Sequence, residues 1–112
     1  MTKYLFYGMT GEKMCFQHIL LNALDLANAG EQVRIVFEGA SVKLVATFEA
    51  DNHPLYRRAK AAGIIAGVCK ACSMALGVYD ANLASGLTML EEMSGHAGMK
   101  PFLAEGYTVI SM

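Results

Sequence analysis

Charge is scarce in this sequence. Of its 112 residues 17% are charged and 54% hydrophobic, whereas soluble domains carry roughly 25% charged residues. A chain this apolar can bury ample surface, which excludes disorder. Nine basic residues against ten acidic ones leave a net charge of -1, so the basic footprint of a general nucleic-acid binder is missing and no nucleic-acid partner is expected. Gly8 and Gly11 do not complete a GxGxxG and there is no Walker motif, so nucleotide binding has no support and no cofactor is expected. Cysteines number three; an odd count argues against a secreted disulfide framework and for a reducing cytoplasm. The first residues hold no apolar stretch long enough for a secretory signal. Residues 61–79 come nearest to a membrane span, but Gly63, Gly67, Lys70 and Gly77 interrupt them and a span needs about 20 apolar residues. A buried strand followed by a short helix accounts for this stretch better. A small domain has much surface and this one has few charges to cover it, so part of that surface is expected to be buried against copies of itself.

What is present is an alternation of strand and helix signals. Residues 3–7 are aromatic and apolar, end at Gly8 and read as a strand. Thr10 reads as the N-cap of a helix over 13–29, with Glu12 in its first turn and Gly30 past its end. His18, Asn22 and Asp25 mark one wet stripe on that helix, and apolar residues cover most of the rest. Residues 32–37 form a second strand, ended by Glu38-Gly39. Residues 40–50 fit neither period cleanly, and their first part reads as a short helix. Pro54 opens a helix over 55–62. Residues 64–68 form a third strand, residues 69–76 a helix, and Asp80 starts a further helix reaching about Met93 across a weak point at Gly86. A loop over 94–98, a helix over 99–105 and a closing strand over 107–111 complete the chain. The pattern predicts a single α/β domain: a three-layer sandwich with a mostly parallel central sheet of four to five strands and helices on both faces.

Ligands of parallel sheets bind beyond the carboxyl ends of the strands. Three such ends carry candidates: Thr10 after the first strand, Glu38 and Gly39 after the second, and Cys69-Lys70-Ala71-Cys72 after the third. The last is the sharpest. A helix N-terminus stabilises a thiolate, Lys70 adds positive charge nearby, and Cys72 can attack a disulfide or persulfide formed on Cys69. Buried, inert thiols are the plain alternative. A thioredoxin-like site is disfavoured, because the motif follows the third strand and the only prolines are Pro54 and Pro101. Cys15, Cys69, Cys72 and His96 would complete a Cys₃His zinc set, but a second closely spaced ligand pair is missing, so no metal is assigned. Sulfur transfer needs one activated thiol and an acceptor thiol nearby, which the residues supply. His96, in a glycine-flanked loop, is a candidate partner for a thiolate. His18, His53 and the basic residues Arg57, Arg58 and Lys60 read as structural or solvated, and the eight methionines as core or subunit contacts.

The segment Cys69-Lys70-Ala71-Cys72-Ser73-Met74-Ala75-Leu76-Gly77-Val78 resembles the signature of DsrE/DsrF-like proteins, which include the YchN-like proteins and the sulfur-relay subunits. In that pattern a cysteine ends the third strand and a glycine follows eight residues later, and the element order matches along nearly the whole chain. The resemblance implies a small cytoplasmic α/β protein that assembles as a homotrimer or homohexamer. In relay members the cysteine matching Cys69 accepts a persulfide sulfur and passes it to a partner protein. Lys70 and Cys72 stand where relay subunits have apolar residues, which points to a free-standing homo-oligomer. Sulfur carriage on Cys69 and Cys72, an assembly module with structural cysteines, and a Cys/His metal site remain the open readings.

Overall fold

Aromatic and β-branched residues form the first two strands, β1 (Lys3–Gly8) and β2 (Gln32–Phe37), joined through helix α1 (Lys13–Asn28). The computed structural model describes residues 2–112. After β2 come a 3-10 turn (Gly39–Lys43) and helices α2 (Leu44–Asp51) and α3 (Pro54–Ala61). Strand β3 (Ile65–Cys69) runs directly into α4 (Lys70–Ala75), followed by α5 (Tyr79–Ala84), β4 (Met89–Leu90), α6 (Lys100–Ala104) and β5 (Thr108–Ser111). The five strands make one sheet in the order β4-β3-β2-β1-β5, and every pairing is parallel.

The register settles the layers. A Cβ on Gly8 would press into Phe16 of α1, so Gly8 faces that helix. Tyr7 therefore faces the other way, and its hydroxyl donates to the carbonyl of Ala97. The steps from β1 through β4 advance in one direction, so right-handed crossovers stack α1 to α5 on one face. The return from β4 to β5 puts α6 on the other. The result is the expected three-layer α/β sandwich.

The thicker layer holds an aromatic core. Phe16 stacks on Phe37 at 4.4 Å between centroids, and Phe48 and Tyr56 close the cluster at 5.5 Å from each other. All four are fully buried. His53, at the N-cap of α3, accepts from the backbone of Tyr56 and takes the structural role expected of it.

Three local expectations are corrected. Thr10 is not the N-cap of α1. Glu12 holds that position, and Thr10 Oγ1 accepts from the Glu12 amide at 3.1 Å in a turn ahead of the helix. The helix expected from Asp80 to Met93 ends at Ala84, where Gly86 takes a φ of 84° and releases the chain into β4. Residues 39–51 are helical to their end, a 3-10 turn passing into α2, rather than only in their first part. No helix among the described residues is long and apolar enough to cross a membrane; residues 61–79 contain β3 and α4, as the sequence suggested.

Candidate functional site

Because the sheet is parallel, the carboxyl ends of β1, β2 and β3 lie side by side. Gly8 pairs with Phe37 and Phe37 with Val68, so Glu38 and Cys69 each stand one residue beyond neighbouring positions. Cys69 is both the last residue of β3 and the N-cap of α4, and its Sγ accepts from the Cys72 amide at 3.4 Å. That first turn puts both sulfurs on one side of the junction. A buried chain of hydrogen bonds fixes the turn: Ser73 Oγ donates to the Cys69 carbonyl at 2.7 Å, and Asn82 Nδ2 donates to Ser73 Oγ and to the Val42 carbonyl, each at 2.9 Å.

The fourth segment is the loop after β4. Met93 and His96 form a two-way backbone bridge, with Ser94 and Gly95 at positive φ. The Gly95 carbonyl accepts from the Ala71 amide at 2.9 Å, and the Ala97 carbonyl accepts from Tyr7 Oη at 2.6 Å. Held this way, His96 Nδ1 lies 3.3 Å from Cys69 Sγ and 3.5 Å from Cys72 Sγ.

Glu38 completes the group. Its carboxylate accepts from the Gly39 amide at 2.7 Å and from the Cys72 thiol at 2.7 Å, and shares the one Tyr7 hydroxyl proton, at 3.1 Å, with the Ala97 carbonyl. Gly39 is required beside it, because its φ is 58° and a Cβ there would meet the Met9 side chain. Burial pushes the Glu38 carboxyl up, but its donors, Cys72 and Gly39 first, outweigh burial and hold it below the usual carboxylate range. The thiols go the other way. Burial raises Cys69, and the backbone donors of Cys72 and Ala97 only partly offset it. Burial, with the Glu38 carboxylate beside it, pushes Cys72 up to about 12. The expectation that a helix terminus would depress the Cys69 thiol is thus corrected: Cys69 is fully buried, and the cost of charge in a dry site exceeds the stabilisation from amide groups. Tyr7 is also raised, by burial and by the Glu38 charge.

Of the residues singled out in the sequence, Glu38, Gly39, Cys69, Cys72 and His96 meet at one place. Lys70 does not join them and pairs with Glu91 at 3.4 Å. Thr10 caps its own turn. Cys15 is exposed and outside the cluster, so the Cys₃His set is replaced by one in which Glu38 takes the place given to Cys15. Tyr7 escaped notice in the sequence. Its only signal was a hydroxyl at the last side-chain position of a buried strand.

Neither a protein-family model nor a solved structure matches the chain. An uncharacterized protein of Methanocaldococcus jannaschii is 30% identical over 95 residues, which are 85% of this chain and 78% of that protein.

Proposed function

The chain belongs to the family of this Methanocaldococcus jannaschii protein, and from the geometry of its own site we propose that it carries sulfane sulfur on the Cys69–Cys72 pair, as a DsrE/DsrF-like protein of the cytoplasm. One observation carries the reading: two thiols one helical turn apart, with an imidazole and a carboxylate each in contact with sulfur. That set supplies a nucleophile, a neighbouring acceptor thiol and a proton acceptor beside each.

The transfer is redox-neutral. The Cys69 thiol gives its proton to His96 Nδ1, and the thiolate attacks the outer sulfur of a donor persulfide. The donor's S–S bond breaks, the donor leaves as a thiolate and takes the proton, and Cys69 holds the new persulfide. Glu38 accepts the Cys72 proton as Cys72 attacks the outer sulfur on Cys69; the Cys69 S–S bond breaks, and Cys69 leaves as a thiolate and takes up that proton. The more exposed Cys72 persulfide then gives its outer sulfur to an attacking acceptor thiolate, Cys72 leaving as a thiolate. Cys69 is fully buried, so its loading is slower than alkylation of exposed Cys15.

Exposed apolar side chains support a homotrimer or homohexamer. Met14 is 72% exposed, Met74 60%, Leu103 55% and Leu83 54%, apolar surface that assembly with further copies would take out of water.

The test is loading of reduced protein with a polysulfide donor, read by intact mass. In a Cys15→Ser background, which removes the exposed thiol, the chain is expected to gain one sulfur atom, and none once Cys69→Ser is added. Equal gain by Cys69→Ser overturns the assignment.

A further inference from the structure

The same cluster has a second capacity that sulfur carriage does not require. One ligand-type atom from each of Glu38, Cys69, Cys72 and His96 lies within 4.8 Å of all the others. Zinc bonds to S, N and O ligands of about 2.0–2.3 Å give tetrahedral edges of about 3.3–3.8 Å. The edges from His96 Nδ1 are 3.3 Å to Cys69, 3.5 Å to Cys72 and 3.8 Å to Glu38 Oε1. The Cys72–Glu38 edge is shorter, 2.7 Å, because a thiol proton bridges it. Replacing that proton with a cation requires the two atoms to move apart by under about an ångström.

Charge points the same way. Glu38 is only 4% exposed, and buried carboxylates are ordinarily paired with a cation or bound to a metal. Among the described residues no lysine or arginine pairs with Glu38; the basic residue next to the motif, Lys70, reaches out to Glu91 instead. Four electron-pair donors thus converge with no resident positive side chain except a protonatable imidazole. The ligands come from the β2 end, the β3–α4 junction and the 91–99 loop, each held by its own backbone contacts. Tyr7 Oη shares its one proton between the Ala97 carbonyl and Glu38 Oε2, and Oε1, which also accepts from the Gly39 amide, is the oxygen that meets Cys72.

We propose that Glu38, Cys69, Cys72 and His96 form a mononuclear site for a divalent, tetrahedrally coordinated transition metal of the zinc type. Two sulfurs, one imidazole nitrogen and one carboxylate suit that class of ion. Binding displaces the two thiol protons to solvent and changes no oxidation state. The metal and a sulfane sulfur compete for the same atoms, so the bound ion shields the thiols. The site stands independently of the sulfur reading.

The experiment is titration of the reduced, chelator-treated chain with Co²⁺ as spectroscopic probe, followed by Zn²⁺. One equivalent of Co²⁺ is expected to give thiolate-to-cobalt charge transfer with tetrahedral d–d bands, and one equivalent of Zn²⁺ to displace it. Loss of an outer-shell partner ordinarily weakens metal binding about 10–100-fold. Tyr7→Phe is expected in that range and Cys72→Ser or His96→Ala beyond it, with Cys15→Ser unchanged. Cys69→Ser alters a fully buried position, so the two more exposed ligands carry the test. Absence of the charge-transfer band in folded wild type overturns the proposal, as does a band that survives both Cys72→Ser and His96→Ala at wild-type affinity. Sulfur loading is read by mass on metal-free protein, so either reading can fail while the other holds.

Discussion

At the scale of single residues, the three cysteines occupy three different environments. Cys15 is exposed, Cys72 half-buried and Cys69 fully buried. Alkylation of metal-free protein by iodoacetamide near neutral pH is therefore expected to modify Cys15 first, Cys72 slowly and Cys69 last, as followed by peptide mass mapping. Cys69 reacting ahead of Cys15 would mean that its burial is not the dominant influence on it. The sequence made Cys69, Cys72 and His96 legible, because a CxxC at a strand end and a histidine between glycines are local signals. Glu38 was legible only as a strand-end residue. Its carboxylate reaches Cys72 because β2 and β3 are neighbours in register, a non-local fact with no short-range signature. The raised thiols were illegible for the same reason: a helix start is visible in sequence, whereas the long-range packing that buries Cys69 is not.

At the scale of elements, β1, β2, β3 and α1 could be read because each has a sustained apolar pattern bounded by glycine or a polar break. β4 could not, since two residues, Met89 and Leu90, cannot display a period of two. Gly67 marks the site of that pairing: a Cβ there would collide with the Thr88 carbonyl and Leu90, so β4 sits against a strand with a deliberately missing side chain. Asn82 locks α5 and α4 to the 3-10 turn. Asn82→Ala removes the donor to the buried Val42 carbonyl and to Ser73 Oγ, which keeps its own bond to Cys69; this costs about 1–3 kcal/mol, and the denaturant midpoint should fall accordingly. Glu49 of α2 staples α3, accepting from Tyr56 Oη and Lys60 Nζ, each at 2.6 Å. Arg57 and Lys60, read from sequence as a solvated face, thus pair with it. Burial opposes its ionisation, but Lys60, Tyr56 and then Arg57 outweigh burial and lower its pKa. A carboxyl whose folded pKa lies below its unfolded one stabilises above the unfolded value, about 4.3 for Glu, and loses that contribution as pH falls through the folded pKa. Glu49→Gln should therefore lower stability at neutral pH and flatten its fall in acid, measured as unfolding midpoint against pH.

At the scale of the whole molecule, the shortage of charge meets the exposed methionines and leucines in a prediction of mass. Light scattering on purified protein is expected to give three or six times the 12.1 kDa of one chain; a monomer at micromolar concentration counts against assembly through these faces. The fold class was legible because strands and helices alternate, yet the strand order was not, since alternation alone does not say that the closing strand returns beside the first. That return has a consequence for biosynthesis. β1 gains β2 early, but its other edge awaits β5, and Met112 then seals the turn by accepting from the Met9 amide at 2.6 Å. Translation at about 5–20 residues per second means that the roughly hundred intervening residues take about 5–20 s. Throughout that interval the nascent chain presents an unpaired aromatic strand edge, an opening that a chaperone or another nascent copy can reach before the chain's own last strand does.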